Sequence, residues 1–136
     1  MLDPEFDDHK EDIQSSLNRF EKMLNEEENS FFDLDTLEQI AEHYFIQGKF
    51  DEGLKACNIG LEHFPYTLEL ITLKAQILGE MQQAEAGIEL VENAFLLFPT
   101  DLDLLMVKGS LLSQLKQHEK AIEIFLNLLE HAEEKD

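Results

Sequence analysis

Apolar residues recur at every third or fourth position in seven segments of this chain, the spacing that places them on one face of an α-helix. In the first segment, roughly residues 6–28, Ile13, Leu17, Phe20 and Leu24 follow this pattern. The other six segments cover about residues 34–47, 50–63, 68–80, 84–98, 102–115 and 118–132. The pattern therefore predicts an all-α protein with seven helices.

Capping and turn-forming residues separate these segments. The second and sixth helices are preceded by Asp33 and Asp101, which are favourable helix N-caps. Gly48 provides a C-cap signal after the second helix, and Pro65 and Pro99 follow the third and the fifth. Connections this short require neighbouring helices to run antiparallel. The second to seventh helices are therefore expected to form three successive hairpins.

Small and turn-forming residues also recur along the chain at one fixed spacing. Pro65 and Pro99 lie at a spacing of 34. Two columns of small residues repeat at the same spacing, namely Ala41, Ala75 and Gly109, and Gly53, Gly87 and Ala121. A small residue in such a column lets the two helices of a hairpin approach each other closely. A period of this size indicates a stacked array of one helical unit.

Residues 34–133 resemble tandem tetratricopeptide repeats, which are 34-residue helix–turn–helix units. The resemblance rests on the residues at the helix crossings and turns, namely Ala41, Tyr44, Gly53, Pro65, Ala75, Gly87, Pro99, Gly109, Ala121 and Phe125. It implies a right-handed α-α superhelix in one continuous domain, with repeats at 34–67, 68–101 and 102–136. The third repeat departs from the pattern, since Leu128 replaces a small residue and Glu133 replaces the proline. An irregular helical bundle is the alternative fold.

Residues 1–33 precede the repeats and carry the first predicted helix. The simplest interpretation is that this helix packs on the first hairpin and covers the open end of the array. The alternative is an amphipathic segment that docks elsewhere.

The last predicted helix is apolar on more than one face, through Ile122, Ile124, Phe125, Leu126, Leu128 and Leu129. Such a surface needs cover. Two interpretations stay open. Either the chain is the N-terminal part of a longer array, or two copies pack end to end as a homodimer.

The composition is strongly acidic, with 30 acidic and ten basic residues and a formal net charge of −20. This charge disfavours binding to nucleic acid and to anionic membranes. It either keeps the protein soluble or steers a basic partner. The acidic N-terminus does not have the pattern of a signal peptide, and no apolar run approaches the length of about 18 residues that spans a bilayer. A cytoplasmic location is therefore expected.

Motifs for chemistry are missing from the sequence. It contains no glycine-rich phosphate loop, no Gly-x-Ser-x-Gly motif, and no Cys/His cluster with the spacing of metal ligands. Cys57 is the single cysteine and lies in an apolar helical pattern, where we expect a core residue. The sequence therefore predicts no enzyme activity, no cofactor and no metal.

The resemblance also implies where a ligand would bind, because the first helix of each unit lines a concave groove in that family. The groove residues predicted here are Asp35, Glu38, Glu42, Phe45, Ile46, Glu69, Leu73, Gln76, Glu80, Asp103, Met106 and Val107. They form an acidic rim around an apolar floor, which suits a basic or amphipathic peptide or helix. Alternatively, some of the apolar residues contact neighbouring helices. The Lys, Asn and Arg residues with which one subclass grips a terminal carboxylate are missing, so that activity is not carried over.

Overall fold

The computed structural model describes residues 12–26 and 31–134. These residues form seven α-helices and no strand, so the predicted all-α class is confirmed. The helices are α1 Ile13–Glu26, α2 Leu34–Ile46, α3 Phe50–His63, α4 Leu68–Glu80, α5 Ala84–Phe95, α6 Leu102–Gln114 and α7 His118–Glu134. The predicted beginning of the first helix, before residue 12, lies outside the described residues.

The helices of the repeat region stack as three successive hairpins. The hairpins pair α2 with α3, α4 with α5, and α6 with α7. Neighbouring hairpins join where α3 packs on α4 and α5 packs on α6. The first helices of the hairpins also touch one another, α2 against α4 and α4 against α6, and form one layer of the array. This layer carries the candidate site.

Two aspartate caps begin α2 and α6 as the sequence predicts. The Asp33 carboxylate accepts a hydrogen bond from the Thr36 amide, and the Asp101 carboxylate accepts one from the Leu104 amide, both at 2.8 Å. Hydrogen bonds from Thr36 lower the pKa of Asp33, because they stabilise its charged form. Each cap satisfies a backbone donor that has no partner within its helix.

The fifth helix ends at Phe95, before the predicted end at Phe98. The amides of Leu96 and Leu97 donate to carbonyls of the preceding turn, at 3.2 and 3.0 Å, which tightens the end of the helix. Phe98 precedes Pro99, whose ring disfavours helical backbone in the residue before it. The fifth helix therefore does not reach the predicted end at Phe98, because Pro99 disfavours helical backbone at that residue.

The turn inside each hairpin has a residue in the left-handed conformation, again at a spacing of 34. Gly48 has a φ of 75°, and the equivalent residues Gln82 and Lys116 have φ values of 63° and 61°. In each turn the following amide closes the helix end, as from Lys49 to the Tyr44 carbonyl at 2.8 Å. Only the first of the three turns has the glycine that this geometry favours.

Replacing Gln82 or Lys116 with glycine is expected to raise the free energy of unfolding by about 0.5–1 kcal/mol each. Glycine relieves the strain of a left-handed non-glycine residue, which stabilises the native state. Part of this stabilisation is offset because glycine has more conformational freedom in the unfolded chain. Urea denaturation measures the change. Gln83→Gly, one position later, is the matched control and is expected to give no gain. Equal stabilisation by the control would contradict this account of the turns.

The small residues of the repeat columns lie where helices touch. Ala41 and Ala75 are fully buried. A Cβ atom on Gly87 would lie 2.9 Å from Leu111 Cδ1 and 3.1 Å from the Ala75 carbonyl oxygen, so a larger residue here would crowd both neighbours. At Gly109, a Cβ atom would lie 2.9 Å from the ring of Phe125. The two prolines, Pro65 and Pro99, are exposed in the turns between hairpins.

Helix α1 lies against the first hairpin. Phe20 is fully buried, and its ring centroid lies 5.7 Å from that of Phe32 and 6.2 Å from that of Tyr44. Arg19, the only arginine of the chain, donates from Nη1 to the Phe31 carbonyl at 2.7 Å. Its guanidinium carbon lies 3.9 Å from the centre of the Phe32 ring. These contacts fix both α1 and the segment that leads into α2.

Candidate functional site

A cavity of about 380 Å³ opens between α2 and α4 and reaches the first turn of α6. Its apolar part is formed by Phe45 and Ile46 at the end of α2 and by Leu68 and Leu73 of α4, whereas Leu70, which also borders it, is fully buried in the core. Its polar part contains four carboxylates, from Glu38, Glu42, Glu69 and Asp103, together with Thr72 and Gln76. No lysine or arginine lines it. The cavity therefore combines negative charge with an accessible apolar surface.

The cavity brings together most of the predicted groove residues, which are Glu38, Glu42, Phe45, Ile46, Glu69, Leu73, Gln76 and Asp103. Asp35, Glu80 and Met106 are exposed to solvent outside its lining. Leu68 and Leu70 line the cavity although they were not predicted to do so. Their apolar side chains in the first turn of α4 were the available signal.

Val107 is the one predicted groove residue that the structure places in the core. It is only 6% exposed and belongs to a cluster with Val91 and Leu111. Its side chain therefore packs between α6 and the preceding hairpin, not on the open face of the array. Val107 therefore contacts neighbouring helices, which was the alternative interpretation of the apolar groove residues.

The carboxylates from two helices influence one another across the cavity. Burial raises the pKa of Glu38, and the charges of Glu69, Asp35 and Glu42 raise it further. Glu69 belongs to α4, whereas the other three residues belong to α2. Since like charges disfavour the ionised form, these side chains are held close at an energetic cost.

Replacing Glu38 with glutamine is expected to raise the free energy of unfolding at neutral pH by about 0.2–0.5 kcal/mol, the usual cost of one like-charge contact. A carboxyl group whose pKa is raised by folding stabilises the native state as the pH falls through that pKa. The advantage of the glutamine variant should therefore disappear in acid, where Glu38 is protonated. Thermal unfolding between pH 3 and 7 measures this trend, with the exposed Glu85→Gln on α5 as the control. A pH-independent advantage would contradict the assigned cause.

The single cysteine does not line the cavity. Cys57 is fully buried in the core of the first hairpin, and burial raises the pKa of its thiol to about 12. Among the described residues, no three His, Cys, Asp or Glu side chains lie close enough together to hold a metal ion. None of the described helices has the length and apolar character needed to cross a membrane.

The stacked hairpins and their repeated helix crossings define the tetratricopeptide repeat class of helical solenoid. The first TPR domain of the human RPAP3 protein superimposes with a TM-score of 0.66 at 23% identity, covering 71% of this chain and 76% of that domain. MamA MSR-1 C2 superimposes with a TM-score of 0.57 at 18% identity, covering 83% of this chain and 68% of that chain. A mutant of MamA gives 0.56 at 20% identity, with 83% and 69% covered.

These similarities establish the fold of the chain as that of tetratricopeptide repeat domains. No protein-family model matches the sequence, and no curated protein matches it. The architecture is thus shared with solved structures, whereas the side chains that line the cavity must be interpreted from this chain itself.

Proposed function

We propose that this protein is a non-catalytic interaction scaffold that binds a basic, amphipathic peptide or helix in the groove formed by α2, α4 and the start of α6. The observation that carries the proposal is the cavity, where carboxylates of three helices surround an apolar patch and no basic residue is present. A ligand with the opposite charge and apolar anchors would complement both parts.

The apolar part of the cavity is accessible to a ligand. Ile46 is 73% exposed, and Phe45 and Leu73 are partly exposed beside it. Burying these groups under apolar side chains of a partner would contribute about 25 cal/mol for each Å² removed from water. Binding energy would therefore come mainly from this patch, and the carboxylates would select a basic ligand.

The charges of the cavity favour a cationic ligand for a second reason. Burial raises the pKa of Glu38, and repulsion from neighbouring carboxylates adds to this; a lysine or arginine side chain between Glu38 and Glu69 would relieve the repulsion. Nucleic acid and anionic membranes would meet the same charges unfavourably. In this proposal the partner is a protein, no cofactor takes part, and the location is cytoplasmic as the sequence predicts.

Reversing two groove charges tests the proposal. The variant with both Glu38→Lys and Glu42→Lys is expected to bind a synthetic lysine- and leucine-rich helical peptide at least about tenfold more weakly at low salt. The difference should shrink as salt screens the charges. Fluorescence anisotropy with a labelled peptide measures both effects.

The matched control for that experiment is the variant with Glu85→Lys and Glu89→Lys. These exposed residues have the same spacing on α5, in the other layer of the array, and the same change in net charge. If the control loses as much affinity as the groove variant, net charge and not the groove determines binding. Unchanged binding by the groove variant at low salt would count against the proposal.

A second candidate function is self-assembly through α7, as the sequence suggested. It is favoured by one observation, the large apolar side chains that α7 leaves exposed. Sedimentation of the wild-type chain over a wide range of concentration tests it, and a monomer at high concentration would remove it.

A further inference from the structure

Helix α7 exposes a row of large apolar side chains on its outer face. Ile122, Phe125, Leu126 and Leu129, which we call the α7 stripe, are between 37% and 59% exposed. They are three or four positions apart and therefore lie along one face of the helix. Among the described helices, α7 packs against α6 alone. The ring of Phe125 packs against Gly109 of α6, whereas no helix of the described part of the chain lies over Ile122, Leu126 and Leu129.

The two earlier hairpins show what covers the equivalent face. Cys57 and Val91 occupy the position of Phe125 in the first and second repeats, and both are fully buried. In these two hairpins the next helix packs on the same helix, α4 on α3 and α6 on α5. The arriving helix places aliphatic side chains at these interfaces, as with Leu111 beside Gly87. In the described part of the chain, the α7 stripe therefore lies on the face that corresponds to the faces of α3 and α5 on which the next helix packs.

Leu126 makes the α7 stripe wider than the equivalent faces of α3 and α5. The residues at its position in the earlier hairpins are Asn58 and Glu92, which are polar and exposed. The docked helix α6 reaches this position with a charged group, since Lys108 Nζ lies 3.5 Å from the Glu92 carboxylate. In α7 the apolar face extends across the same position, so an occupant of the stripe would bury apolar surface there.

The charges beside the stripe indicate the nature of the occupant. Three exposed glutamates lie near Leu126 in the sequence. Glu119 is seven positions before it, Glu123 is three positions before it, and Glu130 is four positions after it. Glu123 and Glu130 therefore border Leu126 on the helix surface, and Glu119 lies on the same side two turns earlier. If two copies of α7 packed antiparallel, Glu119 of one copy could lie beside Glu130 of the other. The net charge of −20 on each chain adds to this repulsion.

We propose that the α7 stripe docks an amphipathic α-helix of a partner protein, whose apolar seam covers the stripe and whose lysine or arginine residues face Glu119, Glu123 and Glu130. This surface lies at the end of the array on α7, whereas the groove is formed by α2, α4 and α6. The inference therefore stands independently of ligand binding in the groove.

The test uses the full chain and a designed helical peptide of about five turns, with leucines at the spacing of the stripe and lysines on both flanks. The same peptide with glutamates in place of the lysines is the matched probe. In the groove variant with Glu38→Lys and Glu42→Lys, we expect the lysine peptide still to bind, and the further substitutions Leu126→Gln and Leu129→Gln to weaken that binding at least about tenfold. The variant with Glu119→Lys and Glu123→Lys should prefer the glutamate peptide. Circular dichroism checks that these surface variants remain folded.

The groove variant with Glu38→Lys and Glu42→Lys distinguishes the two surfaces. This groove variant should still bind the lysine peptide at the α7 stripe. Adding Leu126→Gln and Leu129→Gln to it should abolish that remaining binding. The inference is overturned if Leu126→Gln and Leu129→Gln leave the peptide binding of the groove variant unchanged, or if the groove variant does not bind the lysine peptide at low salt. It is also overturned if the wild-type chain sediments as a dimer that Leu126→Gln and Leu129→Gln convert to a monomer, because a second copy then covers the stripe.

Discussion

Replacing Phe20 with alanine is expected to lower the free energy of unfolding by about 3–5 kcal/mol, the largest effect among the substitutions considered. The ring is fully buried between α1 and the first hairpin, in contact with the rings of Phe32 and Tyr44. Alanine would remove the apolar surface that α1 buries and leave a cavity, which adds to the cost. Two aromatic contacts would be lost as well.

Chemical denaturation of Phe20→Ala and of Phe31→Ala measures this effect against a matched control. Phe31 is 81% exposed, so its replacement should change the free energy of unfolding by less than about 0.5 kcal/mol. Hydrogen exchange should show that Phe20→Ala loses protection first in α1. If the two variants are equally stable, α1 does not pack on the first hairpin in solution.

Replacing Leu111 with alanine is expected to cost about 3–4 kcal/mol, within the range of buried leucine deletions. Leu111 is 2% exposed and lies at the junction of the second and third hairpins. Its Cδ2 atom would be 2.7 Å from a Cβ atom on Gly79, and its Cδ1 atom 2.9 Å from one on Gly87. One side chain thus fills the space that two glycines leave between the hairpins.

The control for Leu111→Ala is Met106→Ala on the same helix. Met106 is largely exposed, so its replacement should cost less than about 0.5 kcal/mol in a denaturant titration. A double-mutant cycle tests the fit more directly. Gly87→Ala should cost less in the Leu111→Ala background than in the wild-type chain, because the crowding leucine has been removed. Additive effects would show that the two residues do not meet.

The helices and their order could be predicted from the sequence because local signals agreed with the packing. The periodic apolar residues of α1 to α7, the Asp33 and Asp101 caps and Gly48 all act within a short stretch of the chain. The spacing of 34 then supplied the longer-range arrangement, since each hairpin meets its neighbours in the same way.

The left-handed turns at Gln82 and Lys116 could not be predicted from residue type, because neither residue favours that backbone conformation. Only their positions, one repeat and two repeats after Gly48, indicate it. The sequence also did not show which side of α6 lies in the core and which side lies in the groove, for a different reason. Leucine, methionine and valine occupy the consecutive positions 104–107, so the helix is apolar on nearly every side.

The candidate cavity was predicted in outline, because α2 and α4 are regular and their outward positions follow from the helical repeat. Val107 was misplaced since the apolar positions of α6 do not distinguish the groove from the core. Leu68 was missed because the groove positions were assigned from the repeat pattern, which does not show which first-turn residues border an opening. The interaction between Glu38 and Glu69 depends on how α2 packs against α4. Neither helix sequence taken alone predicts that these two side chains come close.

The single arginine has a practical consequence for following motion in this protein. A protease that cleaves only after arginine has one site in the chain, at Arg19. Because that side chain is held by the Phe31 carbonyl and the Phe32 ring, cleavage requires α1 to leave the hairpin. The rate of this single cut therefore reports how often the first helix opens, without a label and without any change to the sequence.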